Sequence, residues 1–183
     1  MLTQTLDQQY LAHTYNRFPL EIVGGKGSLL RGADGREYID LGSGIAVNAF
    51  GHCDPVWTAA VEKQLGAFAH TSNYYYSAPQ AELAERLCAR TGLSRVFFSN
   101  SGAEANECAI KTARKYSFDK YGPNRGVVVT LTGSFHGRTM ATLAATGQDA
   151  FHHSFFPFPT GFAYTPPEDA GALEKALDGS VCA

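Results

Sequence analysis

Apolar residues recur at three- and four-residue spacing from Ala103 onward: Ala105, Ala109, Ile110, Ala113 and Tyr116 would share one face of a helix. Glu104 and Glu107 stand early in that helix and Lys111, Arg114 and Lys115 later, the order its dipole favours. Just before it, Arg95–Ser99 (RVFFS) is an apolar run of strand composition, and Asn100-Ser101-Gly102 has turn chemistry. The pattern therefore predicts a short buried strand, a tight turn and a long helix. Gly126–Leu131 follows, a β-branched run that predicts a strand buried on both faces. Ser134–Thr139 is a polar loop, and Met140–Gly147 a short helix with a glycine stop. Two strand ends, each carrying a polar loop and joined by a helical crossover, make a parallel βαβ unit.

The remaining pattern is more broken. Leu6–His13 predicts a short helix, and Ser28–Arg31 with Arg36–Leu41 a hairpin turning at Ala33-Asp34-Gly35. Gly42–His52 is glycine-rich and irregular. Asp54-Pro55 is a cap followed by proline at the first helical position, so a helix runs to about Gly66. His70–Ser77 is a polar-aromatic loop, and Ser77 caps a helix that passes Cys88 and ends by Gly92. Phe151–Phe162 is a loop dense in Phe, Pro and His, Glu168–Leu177 a last helix, and Gly179–Ala183 the beginning of an apolar segment. The chain stops where this pattern calls for another buried strand, so the sheet is expected to be partial.

Composition narrows the class. The chain has 183 residues, 44% hydrophobic and 17% charged, with net charge −2, an ordinary soluble composition with no basic excess for nucleic acid. No apolar run approaches the ~20 residues that span a bilayer. The first fifteen residues lack the basic and apolar regions of a secretory signal. Cys53, Cys88, Cys108 and Cys182 form no CxxC and the six His no HExxH, so the expectation is free thiols in a reducing cytoplasm and no metal.

The candidate chemistry lies at Ser101-Gly102-Ala103. A strand that ends in a Ser-Gly turn and feeds a helix directs free N–H groups and the positive end of the dipole at one point. Gly102 allows close backbone approach, and Ser101 can add a hydroxyl donor. That describes a phosphate cup, although the same turn also serves as a plain helix cap that binds nothing. It is neither a Walker loop nor a GxGxxG, which leaves a nucleotide-binding βαβ protein without its ribose-holding signature. If ligands bind at the carboxyl ends of parallel strands, Phe135 and Arg138 of the second loop bring a flat ring and a bidentate carboxylate fork to the cup.

NSGAEANECAIKTARKY (Asn100–Tyr116) followed by SFHGRTMATLAATGQ (Ser134–Gln148) resembles the class III pyridoxal-phosphate aminotransferases of fold type I. GIAVNAFGH (Gly44–His52) and HTSNYYY (His70–Tyr76) are similar to the acetylornithine branch of that family. The likeness runs from about Thr14 to the last residue. It implies an α/β fold in which residues 1–50 are a segment of the small domain and residues 51–183 the first part of the large cofactor domain, the chain being an N-terminal portion of a longer one. It also implies pyridoxal 5'-phosphate as cofactor, amino-acid and 2-oxo-acid substrates, a cytoplasmic homodimer, and transfer of the terminal amino group of N2-acetyl-ornithine to 2-oxoglutarate in arginine biosynthesis.

By the same resemblance, the Gly102 and Ala103 amides hold the cofactor phosphate with Ser101 helping, Phe135 stacks on the pyridine ring, and Arg138 pairs the substrate α-carboxylate. His136 is structural. Tyr15, Asn48 and Asn73 lie in segments near the substrate entrance, without assigned roles. The Schiff-base Lys and the Asp that partners the pyridinium are expected beyond residue 183, so the isolated chain would be inactive. Asp54 stands where the branch usually has His before Pro, and Asp is the better cap. The ornithine, succinylornithine and 4-aminobutyrate enzymes share the GRT of the second loop, and a non-catalytic paralog of the fold would share it too.

Overall fold

The computed structural model describes residues 2–183. The chain divides into two compact units, Met1–Ala78 and Pro79–Ala183.

The first unit opens with α1 (Leu2–Tyr10), which begins and ends earlier than the pattern indicated. Arg17 binds Asp7 at 3.2 Å, and the His13 ring meets the Gln8 carbonyl at 3.0 Å, so the chain folds back where the expected helix would have continued. Strands β1 (Ile22–Lys26), β2 (Leu29–Gly32) and β3 (Glu37–Ile39) form an antiparallel sheet in that order. The β2–β3 hairpin turns where expected. Gly35 is left-handed (φ 79), and the Asp34 carboxylate accepts from the Arg36 N–H at 3.1 Å and the Tyr38 hydroxyl at 2.6 Å. β1 was not apparent from the sequence: its two glycines lower strand propensity, and pairing with β2 supplies the conformation.

A single turn, α2 (Ser43–Ala46), follows, in which Gly44 and Ile45 are left-handed (φ 64 and 60). The Asp40 carboxylate pins it by accepting from the Gly42 and Ser43 N–H groups at 3.1 and 2.8 Å. The His52 ring closes on Asp40 at 2.8 Å, and its other nitrogen meets the Asn48 amide at 3.0 Å. Helix α3 (Pro55–Ala67) is capped as expected, Asp54 accepting from the Trp57 N–H at 2.8 Å, yet it buries no residue.

The second unit carries α4 (Ala78–Thr91), which also buries no residue. Arg95–Ser99, expected as a short buried strand, pairs with nothing among the described residues. Val96 and Phe98 are half-buried and Phe97 is exposed, so the alternation of a strand is present without a ladder. A strand needs a neighbour as well as a pattern. Helix α5 (Gly102–Tyr121) follows, then β4 (Val128–Leu131), α6 (Met140–Ala145), a 3-10 turn at Asp149–Phe151, β5 (Phe162–Thr165) and α7 (Ala170–Ala176).

The sheet is parallel, as expected, but β4 pairs with β5 in the register Val128↔Phe162 to Leu131↔Thr165 and not with residues 95–99. On its other side Val127 bridges Val181, and the Val129 N–H donates to the Ala183 carbonyl at 2.8 Å. β4 is therefore an inner strand. Val128 is buried while Leu131 is 46% exposed, so its burial on both faces is partial. The core is Ile110 of α5, Val128 and Ala145, with Phe162 and Cys182 packed against them. Arg114 ties α5 to the sheet ends, donating to the carbonyls of Gly126, Thr160 and Gly161 at 3.0 to 3.1 Å.

Candidate cofactor-binding site

Helix α5 begins with a capped and partly open turn. Ser101 is the extended cap residue (φ −154, ψ 160), and its hydroxyl oxygen accepts from the Glu104 N–H at 3.2 Å. Its carbonyl accepts from the Ala105 N–H at 3.0 Å. The Glu104 carboxylate reaches back to the Asn100 N–H at 2.6 Å and to the Asn100 amide at 3.3 Å. The Asn100 N–H, foremost, holds the Glu104 carboxyl below its usual value, so it stays ionised where it closes on Asn100, just before the helix start.

The N–H groups of Gly102 and Ala103 find no acceptor among the described residues. Because the Ser101 hydroxyl oxygen accepts its hydrogen bond from the Glu104 backbone N–H, its own O–H remains free to donate. A Cβ built at Gly102 would meet nothing within 4 Å, so the space beside Gly102 is open. Two N–H groups, a hydroxyl and the dipole's positive end beside open space suit a phosphate.

The second loop is seated against this turn. Gly137 has φ 134, and a Cβ there would come within 2.7 Å of the Ala103 side chain and 2.6 Å of the Thr142 hydroxyl oxygen. Only glycine allows this approach. The Asn106 amide donates to the His136 carbonyl at 2.8 Å, and the Thr139 hydroxyl donates to the Glu107 carboxylate in a short hydrogen bond. The His136 N–H donates to the Thr146 hydroxyl oxygen at 3.0 Å. Thr139 caps α6 through reciprocal bonds with Thr142.

Phe135 is 54% exposed, tilted against Phe151 with ring centres 6.2 Å apart. The Arg138 guanidinium lies 5.8 Å from the Phe135 ring centre and has no carboxylate partner among the described residues. The structure thus places Ala103 of the first loop in contact with the 135–138 loop of the second, at the end where the sheet's loops emerge. His136 faces elsewhere: it lines an apolar cavity of about 220 Å³ with Ile110, Val128 and Ala145, and its Nε2 is buried without a partner. None of Gly102, Ala103, Phe135 and Arg138 lines that cavity.

Three further residues named from the sequence lie in the first unit. Tyr15 is exposed under the Arg17 guanidinium, Asn48 holds the His52 ring, and Asn73 is exposed. In the sequence pattern Glu107 is marked only through the helix dipole, and Asn106 is unmarked. A signal was available: the two stand three and four residues after Ala103, on the same helix face.

The chain matches the class-III aminotransferases over residues 10–182. It belongs to that family. The chain is 50% identical over 179 residues to the acetylornithine aminotransferase of Haemophilus ducreyi, an alignment covering 97% of this chain and 46% of that protein. Its structure resembles the ornithine aminotransferase of Toxoplasma gondii with a TM-score of 0.92 at 30% identity, over 99% of this chain and 44% of that one. It resembles the N-acetylornithine aminotransferase of Stenotrophomonas maltophilia with a TM-score of 0.74 at 37% identity, over 94% and 40%. The chain therefore spans about half the length of the curated relatives it matches. The fold is that of the pyridoxal-phosphate-dependent aminotransferases, in part, and the donors at the α5 N-terminus suit that family's cofactor.

Proposed function

We propose that residues 1–183 form the phosphate-, ring- and carboxylate-binding part of an acetylornithine aminotransferase, which moves the terminal amino group of N2-acetyl-ornithine to 2-oxoglutarate in arginine biosynthesis. The observation that carries this is the pair of unpartnered N–H groups at Gly102 and Ala103, packed through Ala103 against the loop that bears Phe135 and Arg138. Bound pyridoxal phosphate supplies the electron sink for the proton and amino transfer.

The chain's own groups bind and orient. The Gly102 and Ala103 N–H groups and the Ser101 hydroxyl donate to the phosphate oxygens. Phe135 offers a flat apolar face to the ring and keeps water from that side. The Arg138 fork orients the substrate α-carboxylate. We assign the cofactor's lysine anchor to neither Lys111 nor Lys115, the latter being paired with Asp119 at 2.5 Å. On this reading the 183-residue chain alone is inactive, residues 1–50 belong to a small domain and residues 51–183 to a large one, and the complete enzyme is a cytoplasmic homodimer. No helix among the described residues is long and apolar enough to cross a membrane.

The closer backbone likeness to an ornithine enzyme favours a second reading, ornithine as amino donor. Backbone similarity reports the fold, and donor choice rests on side chains; the 50% identity to the Haemophilus ducreyi protein therefore weighs more. Steady-state kinetics of the complete protein decide between them. A kcat/KM for N2-acetyl-ornithine well above that for ornithine is expected, and the reverse order would overturn the assignment. In the same protein Gly102→Val should weaken cofactor binding, whereas Arg138→Ala should raise KM for the amino acid and leave cofactor affinity nearly unchanged. An Arg138→Ala variant that loses the cofactor while Gly102→Val keeps it would reverse the two roles.

A further inference from the structure

The 134–139 loop is fastened to α5 by side chains that the proposed site does not use. Asn106 and Glu107 are consecutive residues, three and four positions after Ala103, and each holds one point of the loop. The Asn106 amide takes the His136 carbonyl at 2.8 Å, and the Glu107 carboxylate takes the Thr139 hydroxyl. Gly137 lies between these two points, pressed against Ala103. Phe135 stands just before the clamped segment and Arg138 within it; both are exposed, with no hydrogen bond or ion pair of their own among the described residues. Phe135 also packs on Phe151, and Ser134 is bound by Gly147 and Gln148; the hydrogen bonds that tie the segment to α5, and so to the Gly102 and Ala103 N–H groups, are those of Asn106 and Glu107.

The chemistry of the two contacts differs. The Glu107 bond is charge-assisted and ends a chain of hydroxyls: Thr139 donates to Glu107, its oxygen accepts from the Thr142 N–H at 3.2 Å, and the two hydroxyl oxygens lie 2.8 Å apart. Thr142 is fully buried, so this chain runs from the packed start of α6 to the carboxylate. The Asn106 bond closes the main-chain side, where the loop would otherwise be held at His136 by the Thr146 hydroxyl.

We propose that Asn106 and Glu107 are positioning residues that set the distance between the phosphate cup and the Phe135–Arg138 pair, so that a ligand joining a phosphate to a planar ring is recognised as one body. The proposal rests on the reading of the cup given above.

The test uses the complete protein with pyridoxal phosphate as probe, and two readouts: hydrogen exchange of the amides of residues 134–139 without ligand, and cofactor affinity by calorimetry. Glu107→Ala and Asn106→Asp should each speed exchange over 134–139 by about tenfold, the loss of one hydrogen bond to a charged or buried partner. Exchange over residues 110–117 should change no more than the accompanying small fall in the unfolding midpoint requires. Both variants should weaken cofactor binding by a similar factor. Glu107→Gln, which keeps an acceptor for Thr139, should restore most of both effects, as a merely structural loss would not. Unchanged exchange over 134–139 in both variants would overturn the clamp, and a loosened loop with unchanged affinity would overturn its link to the ligand. If the unsubstituted protein takes up no cofactor, the cup reading fails instead, while the exchange result still judges the clamp.

Discussion

The two units use apolar residues in opposite ways. In Pro79–Ala183, α5, α6, β4 and β5 close on Ile110, Val128, Leu143, Ala144 and Ala145, and buried Thr142, Thr146, Ser117 and Thr165 sit among them. In Met1–Ala78, Gly32 is the one buried position among the described residues. Val56 and Leu65 of α3 and Leu41, Ile45, Val47 and Phe50 around α2 are mostly in water. That unit is held by local hydrogen bonds: the Asp34 turn, the Asp40 pin under α2, the Asp54 cap and the Gly27–His52 bridge. Such bonds contribute about 1 kcal/mol each, less than burying one large side chain at about 2 kcal/mol. The cup and its facing loop lie in the unit that has a core, where a fixed geometry can be maintained.

The contrast can be broken most severely at Gly147. A Cβ there would lie 2.1 Å from the Leu131 carbonyl oxygen, in the bridge that joins Thr132 to Gly147. Gly147→Ala should cost about 3 kcal/mol or more, since backbone must move, and chemical denaturation should show the loss in Pro79–Ala183 alone. Ile110→Ala should cost about 2 kcal/mol, toward the low end for such changes because Ile110 already borders a cavity. Its counterpart Leu65→Ala, at a position 60% exposed, should stay within about 0.5 kcal/mol. Equal losses at the two positions would show that the units do not differ as described.

A smaller effect separates the units by acid. In Met1–Ala78, Asp40 titrates below its ordinary value of 3.8, chiefly through the hydrogen bond from His52, and Asp34 does so through Tyr38. A carboxyl depressed by folding stabilises the fold above its unfolded pKa, and that stability is lost as pH falls through the lower folded value. The hairpin and α2 should therefore loosen as pH drops below about 3.8, with loss of the Tyr38 and His52 contacts followed by NMR. Asp40→Asn should remove most of the acid dependence at α2 and leave that of the hairpin.

Local chemistry was legible in the sequence, and non-local pairing was not. The caps at Asp54 and Ser101 and the Asp34-Gly35 turn depend on residues a few positions apart. The buried face of α5 did not follow the apolar spacing: Ile110 and Ser117 are buried, whereas Ala105, Ala109 and Tyr116 are exposed, because the sheet and the 134–139 loop decide which side is covered. Arg95–Ser99 reads as a strand but has no ladder, whereas Phe162–Thr165, four residues between a Pro-rich loop and Pro166-Pro167, becomes one because β4 lies beside it. At the site, the cup could be read from Ser101-Gly102-Ala103 alone. The clamp could not, since Glu107 meets Thr139 across 32 residues and that meeting depends on how α5 packs.

The most direct test of the central claim is a pyridoxal-phosphate titration of the isotopically labelled chain, followed at its backbone amides. The account predicts saturable shifts that are largest at Gly102 and Ala103 and extend to residues 135–138, and no shifts in β1, β2 or β3. Shifts centred elsewhere, or saturation with the Gly102 and Ala103 amides unmoved, would contradict it.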